Sequence, residues 1–192
     1  MKLKNEQLRQ NIILATTDLI IAQGFAGTST VKVAKQAKTA QSNIYRYFEN
    51  RQTLLLAVFK YHQQKLIAAL APLLDTTAAP LVQIDGLINA MIQFSLTDFD
   101  TMRVLALFRD QPNMRPLLPK ISEDTFFAQL FKLIKHYQEL KVVKPYYSEF
   151  LAAGVFSLIM NYALAVALDE IPAHQLTQQD VVALIHDFLL VK

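Results

Sequence analysis

The sequence predicts an all-α protein of about nine helices, with a three-helix segment over residues 1–49 and a larger helical segment over 50–192. Three observations carry this. Apolar residues recur at three- and four-residue spacing along almost the whole chain, and no sustained period-two run bounded by turn residues interrupts them. All seven prolines fall after residue 71, where they separate one apolar-periodic stretch from the next. With 53% hydrophobic and 18% charged residues, the 192-residue chain can bury a substantial core.

Each element has a local reason. Ile12, Ala15, Leu19 and Ala22 form one stripe of a first helix, which Gly24 stops because glycine adopts a left-handed conformation readily. A short helix over 29–37 follows, with Thr28 placed to cap its free N–H groups. A third covers 41–48, where Ile44 and Phe48 lie one turn apart and face inward. Asn50 caps a long helix over 51–70, with Leu54, Leu55, Val58, Tyr61 and Leu66 apolar. Pro72 and Pro80 bracket a loop containing Asp75, Thr76 and Thr77, and helices over 81–97 and 101–109 come next. After Pro112, Pro116 and Pro119 the pattern resumes over 122–140, and after Pro145 over 146–168, which Pro172 ends. Thr177 with Asp180 three residues on is a capping box that opens a last helix running to 191.

Composition excludes several function classes. Without cysteine there is no disulfide framework, thiolate catalysis or cysteine zinc site, and the chain suits a reducing cytoplasm. Its four glycines are too dispersed for a Rossmann fingerprint or a P-loop, both of which bring backbone close to phosphate. His62, His136, His174 and His186 have no metal-ligand spacing, so neither metal nor cofactor is expected. Asp98 and Asp100 read as exposed turn carboxylates rather than an acid/base pair, and no nucleophile–base pair points to an enzyme. Met1 to Lys4 lack the apolar stretch of a signal peptide. Phe150 to Leu168 runs uncharged, but Ser157, Asn161 and Tyr162 within it and acids on both flanks argue against a membrane span. A helix buried on most sides, in a core or a subunit interface, is the expectation.

Charge is placed unevenly. Residues 1–65 hold ten Lys/Arg against three Asp/Glu, a formal +7, and residues 66–192 carry a formal −4. A cationic first third is what contact with a polyanion through that third requires, although solvated lysines on helix surfaces produce the same count. The two short helices joined by three or four residues form a helix-turn-helix arrangement, whose second helix enters the major groove of double-stranded DNA. Its candidate reading surface is Gln41, Ser42, Asn43, Tyr45, Arg46 and Tyr47. Gln and Asn can bond bidentately to adenine N6 and N7. Arg46, Tyr47, Arg51 and the helix N-terminus at Thr28 and Ser29 suit phosphate oxygens. Lys32, Lys35 and Lys38 add positive potential, and the direction of Tyr45 stays ambiguous between groove and core.

These residues carry a resemblance. Ile12-Ile13, Ala15-Thr16, Leu19, Gly24-Phe25, Thr28-Ser29, Val33-Ala34, Ile44 to Phe48 and Asn50-Arg51 are similar, in register, to the N-terminal domain of the TetR family of transcriptional regulators. Lys38-Thr39-Ala40 departs from the family's Gly-Val-Ser turn, which puts Lys38 in a strained left-handed position and removes the serine cap of the reading helix. Thr30 stands where the family has an aliphatic residue, and Gln52 where it has an acid.

The resemblance implies that Gln41, Ser42 and Asn43 meet base edges and that Tyr45, Tyr47, Arg51 and Thr28 meet phosphates. It implies a homodimer through the last two helices, and a small-molecule effector bound in the larger segment that releases a repressor from a palindromic operator. Met91, Phe94, Phe108, Phe127, Phe131, Met160 and Asn161 are the candidate pocket residues, with core packing the plainer role for each aromatic. An apolar or amphipathic effector is expected, and the acidic balance of this segment leaves a cationic one open. The alternative is a TetR-like interaction protein, controlled by a protein partner or weakened in operator binding by its altered turn.

Overall fold

The computed structural model describes residues 2–74, 77–172 and 175–192, so Asp75, Thr76 and His174 lie outside the described residues. Among those described there are nine α-helices and no strand. They are α1 (Lys2–Gly27), α2 (Thr30–Gln36), α3 (Gln41–Tyr47), α4 (Arg51–Leu70), α5 (Pro80–Thr97), α6 (Phe99–Asp110), α7 (Thr125–Glu139), α8 (Ser148–Ala167) and α9 (Gln178–Leu189). Single 3-10 turns cover Ala71–Leu73, Arg115–Leu117 and Ile121–Glu123.

Most helix ends follow the expected capping chemistry. Gly24 breaks α1 with φ 67° and ψ −179°, after which one further turn runs to Gly27. Asn50 Oδ1 accepts from Thr53 N at 3.0 Å and caps α4. Thr177 and Asp180 form the reciprocal capping box of α9, and those bonds hold the Asp180 carboxyl below its ordinary value. Three expectations shift. Ser29, not Thr28, caps α2; α7 begins at Thr125 behind an Asp124 cap instead of at 122; and α6 begins two residues earlier than expected. Asp98 is not simply exposed: it pairs with Lys65 and accepts from Thr101 N at 3.3 Å. Burial raises its pKa, and these partners outweigh burial and leave it lowered.

Lys38, Lys141 and Asp169 all have positive φ. Each sits just past a helix end. Thr39 N, Val142 N and Glu170 N donate back to the carbonyls of Ala34, Tyr137 and Ala165 at 2.9–3.0 Å. This is the Schellman arrangement, usually closed by glycine, formed here three times with side chains in the left-handed region.

The chain divides into two compact units, Met1–Gln64 with Arg103–Leu118, and Lys65–Met102 with Pro119–Lys192. This differs from a division at 49/50, because α4's first turns and most of α6 join the N-terminal helices. Phe108, fully buried, meets Phe25 edge-on at 4.7 Å and Phe59 at 5.5 Å. Ile12, Ile13, Ile20, Ile44, Leu54 and Leu55 complete that core, while Ala22 of the expected stripe is exposed. Thr16 and Thr17 are buried in α1, each hydroxyl donating one turn back, and Thr17 Oγ1 also lies 2.9 Å from His62 Nε2.

The second unit packs α5, α7, α8 and α9 around Ile88, Ile92, Leu133, Leu151, Ile159 and Ile185. Its C-terminal residues are pinned to the α7–α8 connection. Lys144 N donates to Leu189 O at 2.8 Å, Val191 N to Val142 O at 3.0 Å, and Lys144 Nζ to the carbonyls of Asp187 and Phe188. The α8 helix is long and apolar enough to cross a membrane by length and composition. Within this chain it is not buried on most sides: only 28% of its apolar window is buried, and Phe150, Leu164 and Val166 are exposed along it, with Leu168 exposed just past its end.

Gly154 sets the approach of α8 and α9. A Cβ built on it meets Phe188 Cζ at 2.5 Å, closer than carbon atoms can stand. Gly154→Val is therefore expected to destabilise the chain by about 1–3 kcal/mol through overpacking. Urea unfolding checks this, and Phe188→Ala is expected to recover part of the loss in a double-mutant cycle.

Candidate nucleic-acid interface

The helix-turn-helix is held by a narrow set of apolar contacts. Val33 and Ala34 of α2 and Ile44 of α3 are buried, with Phe48 at the end of α3 buried beside them. Fixing Ile44 and Phe48 inward turns the rest of α3 outward by the 3.6-residue period. Gln41, Ser42, Tyr45 and Arg46 are exposed, and Asn43 and Tyr47 are half-buried. The ambiguity at Tyr45 resolves toward solvent, with 51% of the residue exposed. Ser29 is exposed beside them and its hydroxyl accepts from Lys32 N at 3.3 Å.

Thr28 sits differently from the expectation. It is 2% exposed, and its hydroxyl donates to Gly24 O at 2.9 Å. Its side chain is turned into the protein, because the break at Gly24 leaves a carbonyl that needs a donor. Arg51 has a second task as well. Its Nε donates to Thr28 O at 2.8 Å and one Nη donates to Phe25 O, so two of its five N–H groups close the end of α1. Lys32 Nζ does the same for Gly27 O at 3.0 Å and also reaches Gln23 Oε1 at 2.7 Å. Sequence reasoning reads such cations as a field for phosphate. These contacts span 5 to 26 residues and leave no local signal.

The turn before α3 is as strained as its sequence implies. Lys38 has φ 51°, and Ala40 stands at the N-cap of α3 with no side-chain bond to a free N–H. Neither Thr39 nor Ser42 stands at the N-cap in its place. Instead Asn43 Nδ2 reaches back to Thr39 Oγ1 at 2.9 Å. Beside the motif, Arg9 lies over the Phe48 ring at 5.6 Å and pairs with Glu6 at 3.4 Å.

Of the candidate pocket residues, Phe127 and Phe131 meet with ring centroids 6.2 Å apart, and the set as a whole does not line one cavity. In the second unit a cavity of about 120 Å³ is lined by α5, α7 and α8 with Leu70, Val143 and Leu189. Of the seven candidates only Met91 lines it. Phe108 belongs to the core of the other unit, Asn161 is exposed, and Phe94, Phe127, Phe131 and Met160 lie outside the lining. The lining that the sequence did not mark is mainly aliphatic, Ile84, Leu87, Leu130, Ala152 and Val155 among it, together with the aromatics Phe126 and Tyr137. The lining holds no charged group, and its one hydroxyl, on Tyr137, donates to Gln83 Oε1. Among the described residues no group of three or more His, Asp or Glu is placed to hold a metal ion. His186 instead faces Asp85 at 2.6 Å.

Residues 12–58 match the profile of the bacterial regulatory proteins of the tetR family. The chain is 38% identical over 60 residues to the fatty acid metabolism regulator protein of Bacillus subtilis (strain 168), covering 31% of this chain and 30% of that protein. It is 22% identical over 174 residues to the HTH-type transcriptional regulator PksA of the same organism, covering 88% of this chain and 83% of that one. A TetR family transcription regulator from Marinobacter aquaeolei VT8 matches over 100% of both chains with a TM-score of 0.83 at 18% identity, a likeness of fold.

The uncapped, strained turn is correctable. Ala40→Ser is expected to raise the unfolding free energy by about 1 kcal/mol by supplying a cap. Lys38→Gly is expected to raise it by up to about 1 kcal/mol by relieving the left-handed conformation. Urea midpoints at constant m-value measure both.

Proposed function

We propose that the chain, whose residues 12–58 match the TetR family profile, is a DNA-binding transcriptional regulator rather than an enzyme and acts in the cytoplasm as a homodimeric repressor. In this reading the segment 1–49, with Arg51 just beyond it, binds DNA, and the rest of 50–192 binds an effector and forms the dimer. The observation that carries it is the outer face of α3, where Gln41, Ser42, Tyr45 and Arg46 are exposed on a helix that Ile44 and Phe48 hold from behind. Gln41, Ser42 and Asn43 read base edges; Ser29, Tyr45, Arg46, Tyr47 and the unspent N–H groups of Arg51 meet phosphates.

A palindromic operator needs two reading helices about 34–36 Å apart, hence two subunits. The exposed apolar residues Phe150, Leu164 and Val166 on α8, Leu168 just past its end and Leu184 on α9 supply the kind of surface a partner copy covers. The cavity supports an uncharged, apolar effector. No carboxylate lines it, so the cationic option is set aside. Leu70, the last residue of α4, lines that cavity, and the same helix begins at Arg51 beside the reading motif. Effector binding there shifts the population away from the DNA-competent dimer.

Selection from a random duplex library at about 100–150 mM salt tests the reading, the range where phosphate contacts no longer mask base contacts. The expected result is one palindrome with two-fold half-sites. Arg46→Ala is expected to weaken all sequences alike and flatten the salt dependence, whereas Asn43→Ala costs about 1–3 kcal/mol on the selected site and relaxes its sequence. The uncapped Ala40 and strained Lys38 favour one second reading, a chain with weakened operator binding controlled by a protein partner. A folded dimer that enriches no sequence selects it.

The cavity reading has its own check. Ala152→Phe fills the space and is expected to preserve binding to the selected site while abolishing release by apolar compounds that release the unsubstituted protein. Electrophoretic mobility shift with a panel of uncharged aliphatic and aromatic compounds measures this. Unchanged release by Ala152→Phe sinks the assignment.

A further inference from the structure

The two side-chain amides on α3 are held in place by hydroxyls from outside that helix. Gln41 Nε2 donates to Thr30 Oγ1 at 2.9 Å, and the same oxygen lies 3.4 Å from the Tyr45 hydroxyl. Asn43 Nδ2 donates to Thr39 Oγ1 at 2.9 Å. Thr30 is the first residue of α2 and Thr39 lies in the turn, so each amide is tethered to a different neighbouring element.

A primary amide carries two N–H donors and one carbonyl acceptor. Once one N–H is spent on a threonine oxygen, what remains is a single N–H beside a single C=O. That remaining pair matches adenine, which offers N7 as acceptor and N6–H as donor in the major groove. Guanine offers two acceptors, O6 and N7, and asks for two N–H groups that the tethered amide no longer has. A tether also removes side-chain rotation before DNA arrives, so less freedom is lost on binding.

We propose that Thr30 and Thr39 are specificity-determining positioning residues, each using up one N–H of a reading amide and thereby selecting adenine over guanine at one base pair per half-site. This rests on the DNA-reading function above. Neither threonine touches a base in this scheme. Both act through the amide they hold, which is why their loss changes which base is preferred rather than how tightly phosphates are gripped.

The test is library selection with the full-length chain and with Thr39→Val, Thr39→Ser and Thr30→Val, together with the salt dependence of binding to random duplex. Valine keeps the threonine shape without the hydroxyl, and serine keeps the hydroxyl. For Thr39→Val the expected result is the same palindrome with the adenine-over-guanine preference at one position per half-site reduced by about fivefold or more, the low end of what a bidentate pair discriminates. Salt dependence is expected to stay unchanged, and Thr39→Ser to keep the original preference. Thr30→Val is expected to do the same at the base pair read by Gln41, and stands as the independent variant if Thr39→Val fails to fold by circular dichroism. If the unsubstituted chain enriches a palindrome and both valine variants keep every base preference, the positioning role is overturned while the regulatory function stands. If the unsubstituted chain enriches nothing, the DNA-reading function falls and the inference falls with it.

Discussion

The break at Gly24 leaves carbonyl groups near the end of α1 without helical donors, and the way these are satisfied organises the first unit. Arg51 takes Phe25 O and Thr28 O, Lys32 takes Gly27 O, and the Thr28 hydroxyl takes Gly24 O. Two of these donors come from the elements that must be positioned: Lys32 from α2 and Arg51 from the first residue of α4. The end of α1 thus serves as the fixed point to which the start of the helix-turn-helix and the helix following it are both tied. Hydrogen bonds to charged donors are among the stronger ones in water, about 1.5–3 kcal/mol each. The apolar contacts of Ile44 and Phe48 then decide which face of α3 looks outward.

Much of this was legible in the residues, and the pattern of success has a physical logic. Helix boundaries, the Gly24 break, the Asn50 cap and the Thr177–Asp180 box all depend on neighbours within four positions, so the chain announces them locally. The left-handed Lys38 was visible for the same reason. The outward face of α3 followed from two inward residues and a fixed helical period. What was not legible depends on distant parts of the chain. Thr28 and Ser29 are equally good capping residues on paper, and only the carbonyl of Gly24 decides that Thr28 turns inward. Arg51 reads as a phosphate ligand until Phe25 and Thr28 are seen beside it.

The candidate pocket residues and the cavity lining differ for a related reason. Aromatic and methionine residues mark apolar environments without saying which. Phe108 went to the core around Phe25 and Phe59, while the cavity is walled mainly by Ile, Leu and Val, which composition could not separate from ordinary core. The division into units was hidden likewise, since it is set by α6 returning to the N-terminal helices. Lys141 and Asp169 in Schellman positions were also missed. With four glycines in the whole chain, three helix ends are closed by residues that carry side chains.

The almost wholly apolar lining of the cavity has a consequence for discrimination between compounds. A cavity that offers hydrogen-bond partners rejects molecules lacking the matching group by large factors, because the cavity's own polar atoms are then left unpaired. Here the only hydroxyl is already satisfied by Gln83, so no such penalty exists. What remains is bulk, at about 0.8 kcal/mol for each methylene buried, a factor of roughly four. A cavity of this kind ranks occupants along a smooth scale of size until they no longer fit. Its response is graded by volume and nearly blind to chemical identity.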